Sequence, residues 1–310
     1  LNAALPDAVR RGVEASLEKI DRRAVAVRSA SPVSGGSISA AVRLNTQGGD
    51  TYFLKWRTAT PEGMFAAEAA GLAALRSAAA GAGFRVPEVF AHASGAGASP
   101  GWILMEWVPR GTGSAGWGAA LGRAVAGLHG AGAPGPGGYG WEQDNFIGPL
   151  PQDNTPSGHW ATFWRERRLV PQLDLATQRG HFQGHGRTMD LVLDRLDEAL
   201  SGVPAEGPSL LHGDLWSGNV YPGPAGEPVL VDPAVYRGHG EVDLAMSELF
   251  GGFPEGFLDA YGEVRPLGSN YRRVRRPLYQ LYYLLVHVNL FGAAYLGESI
   301  RAAESALAGL

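Results

Sequence analysis

An α+β fold in two parts is what this 310-residue sequence predicts. Three observations carry the prediction. Short apolar runs separated by Gly- and Ser-rich turns fill the first third of the chain. Longer runs with helical spacing dominate the remainder. Between residues 210 and 232, two apolar runs flank a polar loop, LLHGDLWSGNV and then VLVDPA. The first part, residues 1–108, is expected to be a five-stranded antiparallel sheet with one main helix. The second, residues 109–310, is expected to be mostly helical. A chain this long exceeds one comfortable core, which itself favours two units.

Taken in order, Val9, Val13, Leu17 and Ile20 recur at helical spacing behind Pro6 and predict an amphipathic opening helix. Residues 24–28, 40–44 and 51–56 read as strands, with the turn SPVSGGSIS between the first two. A helix over 62–80 places Phe65, Leu72 and Leu75 near one face, and strands at 86–91 and 101–108 complete the sheet. Residues 111–118, rich in glycine, are the expected hinge. Helices follow at 117–128, 160–169 and 187–200. The apolar run 278–296 contains Gln280, His287 and Asn289, so it reads as a buried helix rather than a membrane span. The segment DNFIGPLPQDN, residues 144–154, is too polar and Gly/Pro-rich to be a core element, and is either a loop beside the substrate or a connector.

Composition narrows the function. A net charge of −4 gives no reason to expect nucleic acid or an anionic membrane as partner, and the five arginines of residues 265–276 read as a solvated helix start. Zero cysteines exclude disulfides and thiolate metal sites, and suit a cytoplasmic setting. The N-terminus lacks the unbroken apolar core of a signal peptide. Of 26 basic residues only Lys19 and Lys55 are lysines, so a lysine kept inside a strand is one that arginine does not replace.

The chemistry gathers around Asp214. It is followed five residues on by Asn219, and Asp232 stands after a hairpin. That is the layout of a kinase catalytic loop. Hard Mg²⁺ takes oxygen ligands from one or two carboxylates plus substrate phosphates. Asp214 is then the catalytic base that meets the attacking hydroxyl, while Asn219 and Asp232 hold Mg²⁺ against ATP. Lys55 lies in the strand TYFLKW, and an ion pair with Glu68 on the following helix would set its ammonium against the α and β phosphates. Gly35, Gly36 and Ser37 form a loop whose backbone N–H groups can approach phosphate oxygens. No Gly-Lys-Ser/Thr follows, so it is not a Walker loop. Asp243 is expected to brace the catalytic loop by hydrogen bonds, and His212 to be structural. Ten residues separate Asp232 from Asp243, too few for a long phosphorylatable activation loop. Together these features point to a two-lobed protein-kinase-like fold acting on a small molecule.

HGDLWSGN, VDPAVYRGHGEVDLAMSELFGGF and LYYLLVHVNLFGAAYLGES resemble the fructosamine kinase, or ketosamine-3-kinase, family. GGSIS, FLKW, EAAGLAAL, NFIGPLPQDN and RLVPQL extend the resemblance over nearly the whole chain. It implies ATP held between the lobes, with Met105, Glu106 and Val108 as the hinge and the backbone of Glu106 and Val108 meeting the adenine edge. It implies phosphorylation of the 3-hydroxyl of a ketosamine, free or on a glycated protein amine, and a role in deglycation. Trp216 and His287 become candidate substrate contacts, since an aromatic face suits a cationic amine and an imidazole can bond a sugar hydroxyl. A monomer is expected. Rival readings are a phosphotransferase for aminoglycosides or choline-like alcohols, a non-catalytic ATP-binding homologue, and a protein kinase. The chain departs from the family pattern at His239-Gly240-Glu241, where relatives usually have Arg in the middle, so that Arg237 would have to substitute. Ser37 stands where some relatives carry Cys.

Overall fold

The computed structural model describes residues 5–33, 39–95, 99–131, 138–203 and 207–310. The expected glycine loop with Gly35, Gly36 and Ser37 lies outside the described residues. Helix α1 (Asp7–Asp21) precedes strands β1 (Val27–Pro32), β2 (Ala40–Thr46) and β3 (Thr51–Arg57). Helix α2 (Met64–Ala82) leads to β4 (Val89–Ala93) and β5 (Gly101–Glu106). The five strands form one antiparallel sheet in the order β1-β2-β3-β5-β4.

Period-two alternation on β3 decides what covers each face. Leu54 and Trp56 join Val42, Leu44, Trp102 and Leu104 under Val9, Val13 and Leu17 of α1. Phe53 points the other way, toward the core shared by Phe65, Leu72, Leu75, Ile103 and Met105. Two expectations shift here. Ile20, in the last turn of α1, is 50% exposed, and the buried face of the helix ends at Leu17. The first strand runs to Pro32 rather than ending at residue 28, and the proline is tolerated because β1 is an edge strand.

Beyond β5 come α3 (Trp117–Gly130) and a hairpin of β6 (Asn145–Ile147) and β7 (Leu150–Gln152). Then follow α4 (Trp160–Trp164), α5 (Val170–Gln178), α6 (Gly186–Asp194) and α7 (Leu196–Ala199), with a π turn at Arg165–Leu169. Strands β8 (Ser209–Leu211) and β11 (Tyr236–Gly238) pair with each other, as do β9 (Val220–Pro222) and β10 (Pro228–Leu230). Helices α8 (Glu241–Ser247), α9 (Phe257–Val264), α10 (Arg276–Phe291) and α11 (Leu296–Ala308) close the chain. Trp160, Phe163, Trp164, Leu196, Tyr279 and Tyr282 anchor the core of this helical part. No helix among the described residues is long and apolar enough to cross a membrane.

Two further expectations are corrected. The segment 144–154, expected to stay out of the core, contributes to it: Ile147 joins the apolar core, and Asn145, Gln152 and Asn154 are buried, their amides satisfied by one another and by backbone, while residues 145–148 line the cleft. The arginine run is not wholly solvated either. Arg275 is buried and pairs with the buried Glu241, Nε to Oε2 at 2.6 Å, while Arg276 reaches Glu248 at 3.1 Å.

Helices α3 and α9 approach unusually closely. Gly118 and Gly122, four residues apart on one face of α3, lie against the carbonyls of Glu255 and Phe257, where a Cβ would collide. Intrinsic propensity alone would make Gly122→Ala favourable by about 1 kcal/mol. We expect instead a net loss of about 1–3 kcal/mol in equilibrium urea unfolding, because a backbone carbonyl cannot give way as a side chain does. Unchanged stability would mean that α9 slides freely on α3.

Candidate active site

The loop that follows β8 is held from beneath by one carboxylate. Asp243, in the first turn of α8 and fully buried, accepts the backbone N–H of His212 at 2.7 Å and of Gly213 at 2.9 Å. His129 Nε2 lies 3.1 Å from the same group, and its Nδ1 is 2.9 Å from the Tyr261 hydroxyl. The His212 ring faces the Val231 carbonyl through Nε2 at 3.0 Å, so that nitrogen carries the hydrogen; Nδ1 accepts the Asp214 N–H at 3.2 Å. Burial pushes His212 below the usual imidazole range. Gly213 has φ +82° and lies against the Ala234 carbonyl, where no side chain fits. Tyr283 donates its hydroxyl to the Gly213 carbonyl at 2.8 Å.

This loop aims Asp214 into a cleft of about 730 Å³ that Lys55, Glu68, Asn219 and Asp232 also line. Asn219 Nδ2 reaches Asp214 Oδ2 at 3.0 Å, the Asp214 carbonyl at 2.9 Å and the Asp232 carbonyl at 3.4 Å. Its amide hydrogens are therefore spent and its Oδ1 is the atom left to offer a ligand. Lys55 Nζ sits 2.6 Å from Glu68 Oε1 and 2.9 Å from Asp232 Oδ1. Burial alone would lower the Lys55 pKa, but Asp232 and Glu68 together outweigh it and raise it. Asp232 has φ +54°, left-handed for a residue with a Cβ, at a cost of roughly 1–2 kcal/mol. Helix α2 meets the segment after it directly: a Cβ on Gly71 would lie 3.2 Å from Val235 Cγ2 and 3.4 Å from Pro233 Cγ.

Toward the other end of the cleft, Trp216 and His287 line the wall with Phe250 and Tyr295. Ring centroids are 4.5 Å apart for Phe250 and His287 and 5.0 Å for His287 and Tyr295. His287 Nδ1 is 2.8 Å from the Tyr283 carbonyl, which can only accept, so Nε2 is left as an acceptor in the neutral ring. Burial lowers its pKa. The reading of the sequence missed Phe250 and Tyr295. Both lie outside long helices, at the turn after α8 and in a single 3₁₀ turn, so no periodicity marks them.

Met105, Glu106 and Val108 line the cleft where the hinge was expected. The Glu106 N–H is already given to the Glu88 carbonyl at 2.8 Å, and the Val108 carbonyl accepts the Tyr221 hydroxyl at 3.2 Å. The Val108 N–H meets no acceptor among the described residues. Arg237 is the side chain expected to stand in for the one absent at Gly240. It lies over Trp141, 5.0 Å from the ring centroid, and 3.8 Å from Glu142, and is not part of the cleft wall. A Cβ at Gly240 would come within 2.8 Å of His129 Nδ1.

Comparison with known proteins is consistent along the chain. The fructosamine kinase family model matches residues 10–308. A protein of Synechocystis sp. named "probable ketoamine kinase" is 43% identical over 263 residues, 85% of each chain. The chloroplastic protein-ribulosamine 3-kinase of Arabidopsis thaliana is 39% identical over 274 residues, 88% of this chain and 81% of that one. A crystal structure of a candidate fructosamine-3-kinase from Thermobifida fusca superposes with TM-score 0.82 at 36% identity, covering 96% of this chain and 98% of that one. An aminoglycoside phosphotransferase bound to ADP and hygromycin B shares the fold, with TM-score 0.60 at 17% identity over 95% of this chain and 98% of its own.

Burial, then the charge of Asp232, pushes the Asp214 carboxyl up to about 7. The folded chain thus binds this proton more tightly than the unfolded chain does, so Asp214 detracts from stability above about pH 7, and the penalty fades as pH falls toward its ordinary value of 3.8. Asp214→Asn should raise Tm at pH 8, by about 2 °C, and by less at pH 5. Equal shifts at both pH values would show that the carboxylate is well solvated in the folded chain.

Proposed function

We propose, from the premise that this chain belongs to the fructosamine kinase family, that it transfers the γ-phosphoryl group of ATP to the 3-hydroxyl of a ketosamine such as fructosamine or ribulosamine. The observation that carries the reading is the meeting of Lys55, Glu68, Asp214, Asn219 and Asp232 in one cleft, contributed by residues 55 to 232. Residues 1–108 are then the nucleotide lobe and 109–310 the catalytic lobe.

Each side chain has a physical task in this reaction. Lys55, held protonated by its two carboxylates, gives its ammonium to the α and β phosphates when ATP enters. Glu68 keeps it in place. Asp214 Oδ2 is tied to Asn219, which leaves the other oxygen to accept the hydrogen of the attacking hydroxyl. Phosphoryl transfer runs through a loose transition state, so orienting that hydroxyl in line matters more than removing its proton early. The Asp232 carboxylate and Asn219 Oδ1 form an all-oxygen donor set that suits Mg²⁺. Bound there with phosphate oxygens, the ion would neutralise charge on the β and γ groups. At the far end, the Trp216 face receives the protonated amine of the ketosamine, and His287 Nε2 accepts from the amine or a sugar hydroxyl. A glycated amine carried on a protein would enter by this same aromatic end, in keeping with a deglycating role.

The test is ADP release from Mg-ATP by the full chain with ribulosamine, fructosamine, an aminoglycoside, choline or no acceptor. We expect turnover on a ketosamine alone, reduced about 100-fold or more in Asp214→Asn. Turnover confined to another acceptor would reassign the substrate. Silence on all acceptors with ATP still bound would sink the catalytic reading. In Trp216→Leu we expect the KM for ketosamine to rise about fivefold or more with the KM for ATP unchanged, as loss of a cation–π contact of about 1 kcal/mol requires; equal changes in both constants would remove Trp216 from the substrate end.

A further inference from the structure

Arg168 is a buried cation that the reaction leaves unused. Its guanidinium is fully buried, and no ion pair involves it among the described residues. The groups it meets are neutral: the Asp153 carbonyl at 2.7 Å, the Arg167 carbonyl at 2.9 Å and Asn154 Oδ1 at 2.7 Å. The rings of Tyr236 and Phe163 lie 4.0 and 4.6 Å from its Cζ. A buried charge is costly, and the carboxylate that feels this one, Asp153, is paired with Arg167 at 3.0 Å rather than with Arg168, so its place asks for a reason.

A guanidinium has donors only. It therefore fixes which way the Asn154 amide points, with Oδ1 toward Arg168 and Nδ2 toward Asn145 Oδ1, 3.0 Å away. Gln152 Nε2 donates to that same oxygen at 2.7 Å, while its Oε1 accepts the Tyr282 hydroxyl at 2.7 Å. With Oδ1 taken twice, Asn145 presents Nδ2 at its other end and gives it to the Val235 carbonyl at 2.7 Å. Gln152 Nε2 also lies 3.4 Å from the Ala234 carbonyl. Donation thus runs in one direction, from Arg168 through Asn154 and Asn145 to Val235.

The relay ends on the segment that follows Asp232. Left-handed backbone at a residue with a Cβ persists only where its surroundings determine it. Backbone bonds fix the flanks: Val231 N–H to the Asn219 carbonyl at 3.0 Å, and Ala234 N–H to the His212 carbonyl at 2.9 Å. The carbonyls of Ala234 and Val235 are met by the hairpin's amides. We propose that Asn145, oriented by Arg168 through Asn154, is a positioning residue that sets the direction of the Asp232 carboxylate. The inference rests on the reading of Asp232 as the metal-facing carboxylate.

Calorimetric titration of the full chain with ADP, with and without Mg²⁺, tests it through the gain in ADP affinity that the metal confers. Asn154→Asp gives Arg168 a counter-charge in contact, which offsets the loss of the Asn154 Nδ2 bond to the Gln143 carbonyl. It also removes the donor to Asn145 Oδ1 and draws Asn145 Nδ2 away from Val235. We expect Tm near that of the parent chain, metal-free ADP affinity unchanged, and the Mg²⁺-dependent gain reduced about tenfold, the size usual for residues that orient metal ligands. A gain equal to the parent's overturns the inference. If Asn154→Asp does not fold, Asn145→Asp decides: it keeps both donors toward its side chain but cannot donate to Val235, and the same loss is expected and the same retention overturns. A parent chain without any Mg²⁺-dependent gain removes Asp232 from the metal role, and the inference falls with that reading.

Discussion

The cleft depends on the buried carboxylate of Asp243. Two consecutive backbone N–H groups, those of His212 and Gly213, point at it, and that forces the chain to turn where Gly213 alone can adopt the required φ. Asp214 leaves this turn directly and Asn219 follows within the same loop. Because Asp243 belongs to α8, reached from Asp232 through one short strand, the same carboxylate ties both ends of this region together. Its remaining contact is His129 on α3, which seats the loop on the helix that α9 grips. A hydrogen bond to an ionised acceptor is roughly twice as strong as a neutral one, which suits an anchor serving several elements at once.

The charge balance around that loop is lopsided. Four carboxylates line the cleft, Glu68, Glu106, Asp214 and Asp232, against the two cations Lys55 and Arg110. The site is thus electronegative before anything binds. A bare triphosphate would be repelled, so its charge has to be offset as it arrives, and a cationic amine is favoured at the acceptor end. The Asp232 charge adds to burial in holding the Asp214 proton above the ordinary carboxylate range.

Much of this could be read from residue spacing, and the reason is local. Lys55 stands in a strand whose alternation fixes the side it faces, and Glu68 is one turn into the next helix, so their approach follows from two short-range rules. Asp214, Asn219 and Asp232 are bound to one loop and one hairpin. The failures have a different origin. Asn145, Gln152 and Asn154 look like loop residues because their burial depends on partners as distant in sequence as Arg168, Val235 and Tyr282, and no window of neighbours contains those. Ile20 has the right spacing for the core face of α1 but sits in its last turn, half exposed, beyond the last buried position at Leu17. Met105, Glu106 and Val108 lie along the cleft, yet which of their backbone groups are already occupied depends on Glu88 and Tyr221.

The contact of Gly71 with Pro233 and Val235 couples the two carboxylates that hold Lys55. Gly71 brings helix α2 against the side chains of Pro233 and Val235 with no side chain of its own between them. Glu68 and Asp232, the two partners of the Lys55 ammonium, are therefore carried on elements that touch, and a larger residue at position 71 would press on both.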